Sequence, residues 1–149
     1  MSTSESVTIR PATPADAAVI AELLEQLGYP STADDVITRL ERLEQFPDAV
    51  ALVAEVSGRV TGVVTGHVFP SIHTPIPVAW LTTLVVDRDR VNGGIGRRLV
   101  TAVEQWARSR GAERVAVTSG KHRDAAHAFY ERIGYKHTGV RLAKTLEQR

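Results

Sequence analysis

The chain has 149 residues, 43% of them hydrophobic, which is enough to bury one core and predicts a single domain over residues 1–149. Eighteen Lys plus Arg against seventeen Asp plus Glu leave a net charge of +1, so no broad electrostatic case exists for nucleic acid or an anionic membrane. Cysteine is absent, which excludes disulfides, thiolate metal sites and an acyl-cysteine intermediate.

The opening residues 1–6 are polar, with neither a basic segment nor an apolar run, and do not read as a signal peptide. No later apolar run is long enough to span a bilayer, and a cytoplasmic protein is expected. Val7 to Arg10 alternates as a strand does; Thr13-Pro14-Ala15-Asp16 then supplies an N-cap, a proline and a first-turn carboxylate. The next helix should run to about Leu27, with Ile20, Leu23, Leu24 and Leu27 facing the core. Gly28-Tyr29-Pro30 breaks it, and Thr32 to Asp35 opens a second helix that reaches about Gln45, with Val36, Ile37, Leu40 and Leu43 apolar.

Ala49 to Val56 and Arg59 to Phe69 flank a Ser57-Gly58 turn and predict a hairpin. Gly62 and Gly66 punctuate its second strand, as at bulges or where another element packs closely. Pro70 to Pro77 holds three prolines and His73, too broken for regular structure, and is expected at the mouth of a site. Val78 to Asp87 is apolar enough for a central strand. A helix from Gly94 to about Arg110 should bury Ile95, Leu99, Val103 and Trp106, with Gly111 closing it. Arg114 to Thr118 reads as a short strand, Asp124 as the cap of a last helix ended by Gly134, and Tyr135 to Leu146 as a final strand turning near Gly139. The order β-α-α-β-β-β-α-β-α-β predicts an α/β (α+β) fold with a mixed, mostly antiparallel sheet flanked by helices.

Chemistry concentrates where Leu84-Val85-Val86 leads through charged residues into Gly93-Gly94-Ile95-Gly96 and a helix. Glycines let backbone N–H groups approach a ligand, and a helix start adds unpaired donors and the positive end of its dipole. A phosphate-bearing ligand fits that chemistry; a turn whose glycines merely permit positive φ is the plainer alternative. Arg88, Arg90, Arg97 and Arg98 surround the loop and suit several phosphates, though a solvated arginine surface would look the same. Leu99 stands where a dinucleotide loop needs its third glycine, and Gly-Lys-Ser/Thr is missing, which disfavours dinucleotide and nucleoside triphosphate folds. The five histidines form no His-Glu-x-x-His pair, His122 and His127 lie off one helical face, and no metal is expected.

Further on, His127-Ala128-Phe129-Tyr130-Glu131-Arg132-Ile133-Gly134-Tyr135 reads as a short helix ended by glycine, with a new strand after it. With the glycine loop, this segment resembles the GNAT superfamily of acetyl-CoA-dependent N-acetyltransferases. The loop is similar to that family's strand, Arg/Gln-x-x-Gly-x-Gly/Ala and helix, and Tyr130-Glu131 to Gly134-Tyr135 resembles its Tyr-Glu-x-x-Gly-Phe/Tyr signature. Ile9-Arg10-Pro11-Ala12 resembles its opening strand, so the likeness runs from about Val7 to Leu146. One position departs: the family's Arg/Gln falls on Val91, leaving Arg90 next to it as the side chain to replace it.

The resemblance implies acetyl-CoA as cosubstrate, its diphosphate on N–H groups of Val91, Asn92, Gly93, Gly94, Ile95 and Gly96, with Arg90 and Arg97 beside them. It implies that the amide-rich pantetheine arm pairs like a strand against Leu84, Val85 and Val86. A backbone N–H near Leu84 would polarise the thioester carbonyl, and Tyr130 would protonate the departing thiolate. A tyrosine that simply caps a core is the alternative for Tyr130. For the base that takes the amine proton, His67, His73, His127 and a water relayed by Thr82 or Thr83 all stand open.

The activity implied is transfer of acetyl to a primary amine by direct attack in a ternary complex. A non-catalytic acyl-CoA-binding sensor or interaction module on the same fold is the rival, separated by whether Tyr130 acts. The acceptor, a small molecule or a peptide amine, would sit among residues 24 to 35, the Pro70 to Pro77 loop and the C-terminal strand. Tyr29 is a candidate contact there, with packing as its plainer role. The resemblance leaves a homodimer open.

Overall fold

The computed structural model describes residues 6–91, 93–118 and 124–147, which divide into two compact units on either side of Val117. The first unit is built on a five-stranded sheet in the order β1-β2-β3-β4-β5. Its strands are β1 (Val7–Pro11), β2 (Ala49–Val56), β3 (Arg59–Phe69), β4 (Val78–Val86) and β5 (Val115–Val117). The first four pair antiparallel and β4 pairs β5 in parallel, the mixed sheet that the element order predicts. Three helices cover it: α1 (Ala17–Leu27), α2 (Ala33–Glu44) and α3 (Ile95–Ser109).

Chain entry is fixed by a polar knot. Arg10 on β1 grips Asp16 through both Nη atoms at 2.9 Å and donates from Nε to Glu55 on β2 at 2.9 Å. Asp16 also accepts from the Thr13 backbone N–H at 2.8 Å, closing a 3₁₀ turn over Pro14–Asp16 that leads into α1. The α2 start is capped reciprocally: Asp35 N–H donates to Thr32 Oγ1, and Thr32 N–H donates to the Asp35 carboxylate, both at 3.0 Å.

The sheet separates two apolar layers. On one face Ile20, Leu23 and Val36 of α1 and α2 pack on Val53, Val63 and Val85. On the other, α3 lies so close to β3 that glycine is required at two positions. A Cβ on Gly62 would stand 2.9 Å from Leu99 Cδ1 and 3.2 Å from the Val85 carbonyl oxygen; on Gly66 it would stand 2.9 Å from Val103 Cγ1. These glycines therefore act through close approach, with the sheet's irregularities falling beside them, between Ala54 and Glu55 of β2 and between Thr65 and Gly66 of β3. Trp106 is half-buried against this layer, while Leu99, Val100, Val103 and Ala107 are fully buried.

The second unit contains α4 (Asp124–Arg132). Its end is closed by Gly134 N–H donating to the Glu131 carbonyl at 3.1 Å and Tyr135 N–H donating to that of Tyr130 at 2.9 Å, the paired bonds of a Schellman motif. Asp124 is the first residue of the helix and not the cap before it; residues 119–123, His122 among them, lie outside the described residues. The final strand expected over Tyr135 to Leu146 is not formed: residues 136–147 carry no regular structure. Alternating apolar residues supply a face but not a ladder, and a strand exists only through a hydrogen-bonded neighbour, which this segment lacks among the described residues. Val140, Leu142 and Leu146 are correspondingly exposed.

Gly62→Ala should lower unfolding free energy by about 1–3 kcal/mol in urea titration, the usual cost of overpacking. Gly139→Ala, where a Cβ meets nothing within 4 Å, should change it by less than about 0.5 kcal/mol. The Arg10 guanidinium holds the Asp16 carboxyl below its ordinary 3.8, outweighing burial, which opposes it. A depressed carboxylate stabilises the fold above its unfolded value and ceases to do so as pH falls through the folded one. The stability gap between wild type and Asp16→Asn should thus hold above pH 3.8 and close in stronger acid.

Candidate functional site

The register of β4 accounts for the site. Thr65 faces Thr83 but Gly66 faces Leu81, so Thr82 is an extra residue that bulges the strand. Among the described residues β5 pairs β4 only at Ala79, Trp80 and Leu81, so the parallel ladder stops at the bulge. Beyond it, Thr82 to Val86 have no strand partner on the side away from β3 among the described residues. Asp87 N–H donates to the Thr61 carbonyl at 2.8 Å, and antiparallel backbone groups alternate in direction along a strand. Val85 therefore turns its N–H and C=O to β3, and its side chain lies in the α1 and α2 core. Leu84 and Val86 turn theirs to the open edge.

That edge leads directly into a helix start. Arg90 N–H donates to the Asp87 carbonyl at 2.8 Å in a 3₁₀ turn over Arg88–Arg90, and Arg88 N–H donates to Gln26 Oε1 of α1 at 2.9 Å. Gly93 N–H reaches the Arg90 carbonyl at 3.4 Å. Gly94 takes φ +80°, a left-handed conformation that side chains resist, and is the N-cap of α3. The Gly94 carbonyl accepts from Arg98 N–H at 3.1 Å, so the N–H groups of Gly94, Ile95, Gly96 and Arg97 have no acceptor within the helix. Gly93, Gly94 and Arg97 are exposed, Gly96 half-buried, and Ile95 buries its side chain beneath the turn. Val91 is exposed and Arg90 half-buried; Asn92 lies outside the described residues. Arg98 is drawn off to β1, where it donates to the Val7 carbonyl at 3.2 Å, so the arginine patch narrows to Arg88, Arg90 and Arg97.

The opposite face of the same strands bears a cleft of about 840 Å³ between the sheet and α1 with α2. Alternation along β3 puts Val63, Thr65 and His67 on this face, and the bulge puts the consecutive Thr82 and Thr83 there as well. Thr65 and Thr82 share a hydroxyl hydrogen bond of 2.7 Å. Burial lowers the His67 imidazole below its ordinary 6.5, so it is neutral at pH 7 and can accept a proton. His73, by contrast, is exposed, bonded to Ser71 and no part of the cleft, and none of residues 70–77 lines it. Leu24, Leu27 and Tyr29 line it; Arg39 and Arg42 of α2 and Phe46 and Asp48 just after it do too, and the sequence reading missed them because it treated α2 as packing alone and passed over the residues between α2 and β2.

Tyr130 and His127 belong to the second unit, on α4. The Tyr130 ring stands 5.3 Å from Phe129 and 5.6 Å from Tyr135, measured between centroids. No group of three or more His, Asp or Glu suited to a metal occurs among the described residues. No helix among them is long and apolar enough to cross a membrane.

The acetyltransferase (GNAT) family matches residues 18–135 of this chain. An aminoglycoside N(6')-acetyltransferase type 1 of Stenotrophomonas maltophilia is 34% identical over 135 residues, 88% of this chain and 87% of the relative. An aminoalkylphosphonate N-acetyltransferase of Salmonella typhimurium is 32% identical over 130 residues, 87% of this chain and 82% of the relative. Among solved structures, an aminoglycoside N-acetyltransferase in complex with CoA is similar over 99% of both chains, with a TM-score of 0.86 at 16% identity, a likeness of fold.

His67 offers a direct check on the cleft's electrostatics. Its imidazole resonances, followed by NMR, should titrate below pH 6.5; a midpoint at or above that value would contradict the burial that the cleft imposes.

Proposed function

Because the chain belongs to the GNAT acetyltransferase family, we propose that it moves the acetyl group of acetyl-CoA to a primary amine by direct attack in a ternary complex. The observation that carries this reading is the open edge of β4 at Leu84 and Val86, continuous with the start of α3 at Gly94. An amide-rich arm can pair with the former while a diphosphate sits on the N–H groups of the latter. Backbone donors supply most of that grip, which is why Val91 in place of an arginine or glutamine leaves the ligand class unchanged. Arg90 and Arg97 add positive charge to the same loop.

With the thioester carbonyl on the N–H of Leu84, that amide stabilises the oxyanion as the amine nitrogen attacks the carbonyl carbon. The carbon–sulfur bond then breaks, and the Tyr130 hydroxyl gives its proton to the thiolate. His67, neutral on the acceptor face, takes the proton that the amine must lose, with the Thr65 and Thr82 hydroxyls beside it. The products are an N-acetyl amide and free CoA. The chain has no cysteine to carry the acetyl group, which supports direct transfer. The support for Tyr130 is its place in the Tyr-Glu-x-x-Gly-Tyr signature, and for the acceptor side the cleft that opens against Thr82 and Thr83.

Acetyl-CoA consumption across an amine panel, read as free CoA, tests the activity itself. Tyr130→Phe should lower kcat by about 10²-fold while CoA affinity by calorimetry stays within about twofold; unchanged kcat would remove the phenol from the reaction. Gly94→Val should act the other way, weakening CoA by about tenfold because a branched side chain resists the left-handed turn.

A further inference from the structure

Resting on that reading, we infer that the acceptor is a primary amine joined through an apolar linker to an anionic group, which Arg39 and Arg42 of α2 receive. The inference comes from the charges that the cleft presents. Arg39 and Arg42 lie three residues apart on α2, so both project from one face, and both line the cleft. No carboxylate among the described residues lies within ion-pair distance of either guanidinium. Arg39 is held by a neutral partner, donating to Ser31 Oγ at 2.7 Å, while Ser31 Oγ donates to the Tyr29 carbonyl at 3.0 Å. Asp35, one turn before Arg39, feels that arginine's charge but commits its carboxylate to the helix cap with Thr32. The lining has one carboxylate, Asp48, and it already faces Arg110 at 3.7 Å.

Apart from Thr65, His67, Thr82 and Thr83 on the sheet, the rest of the wall is apolar. Leu24, Leu27, Leu40 and Leu43 form the helical side, and Tyr29, Phe46 and Phe69 are 67%, 59% and 42% exposed at its rim. A polycation with several ammonium groups would meet two arginines and a single, already paired carboxylate.

The length of the acceptor is set by the sheet. The reacting amine belongs at Thr82 and Thr83 of β4, beside Leu84. α2 packs over β2, two strands away, a lateral distance of roughly 10 Å. Between them the ligand crosses Thr65, whose hydroxyl is already bonded to that of Thr82, and Ala51, where an apolar linker makes contacts without stranding polar groups.

The test uses three amines of equal length that differ at the far end: 8-aminooctanoate, octylamine and 1,8-diaminooctane, with 8-aminooctylphosphonate to distinguish a carboxylate from a phosphonate. With acetyl-CoA and the full chain, kcat/KM should fall in the order anionic, neutral, cationic, with at least a tenfold span. In Arg39→Gln/Arg42→Gln the span should shrink to about twofold, and in Arg39→Glu/Arg42→Glu it should invert. CoA binding by calorimetry verifies that each variant is folded, since the coenzyme's proposed loop lies elsewhere. A wild-type preference for the diamine, or a span unchanged in the folded double variants, overturns the inference while acetyl transfer itself stands. Turnover of none of the four also overturns it, and the amine panel then decides separately whether the transferase reading survives.

Discussion

Among the described residues β4 joins β5 through three pairs, Ala79, Trp80 and Leu81 against Val115, Ala116 and Val117, and the site depends on that brevity. Had the parallel ladder continued, the backbone groups of Leu84 and Val86 would be consumed inside the sheet. The bulge at Thr82 ends it by bending the strand and shifting which residues face which side. Unpaired strand edges are usually a hazard, since they recruit other chains. Here the exposed stretch lies beside a helix start, and under the proposed function an extended, amide-bearing cosubstrate satisfies it.

The same irregularity serves the other face of the sheet. By inserting one residue, it aligns Thr82 and Thr83 on the cleft side, next to Thr65 and His67, while Leu84 keeps its backbone toward the open edge. One strand thus separates the two proposed ligands and brings their reacting ends together. Close packing keeps it in place: Gly62 and Gly66 let α3 lie directly on β3, with Leu99 and Val103 filling the space where side chains would be. Because α3 is seated on β3 and begins at Gly94, its N-terminal amides are positioned relative to the end of β4 by core packing and not by the loop alone. At the chain's start, the grip of Arg10 on Asp16 and Glu55 ties β1, β2 and the entry to α1 together, which fixes the cleft wall to the sheet.

Much of this architecture is legible in the residues. The hairpin bounds at Ala49, Val56, Arg59 and Phe69 follow from alternation and a Ser-Gly turn, and the start of α2 from its capping residues, whereas Thr13 and Pro14 open a 3₁₀ turn and α1 begins only at Ala17. Gly94 declares itself because a left-handed residue at a helix start is nearly always glycine. Features set by partners are harder to read. Tyr135 to Leu146 has the composition of a strand, but pairing is decided by a neighbour that composition does not name. Arg98 looks like a phosphate ligand in the sequence and is bonded to β1, 91 residues away. Arg39 and Arg42 look like the solvated side of an amphipathic helix, and only the placement of α2 above β2 turns them toward a cleft.

Amide-resolved NMR during titration with CoA addresses the use of the β4 edge most directly. If the coenzyme pairs with that edge and rests on the start of α3, the N–H resonances of Leu84, Val86 and residues 93–97 should shift and their hydrogen exchange should slow. Val85, already turned to β3, should change much less. Shifts confined to the α1 and α2 cleft, or no shift at all at saturating CoA, would contradict it.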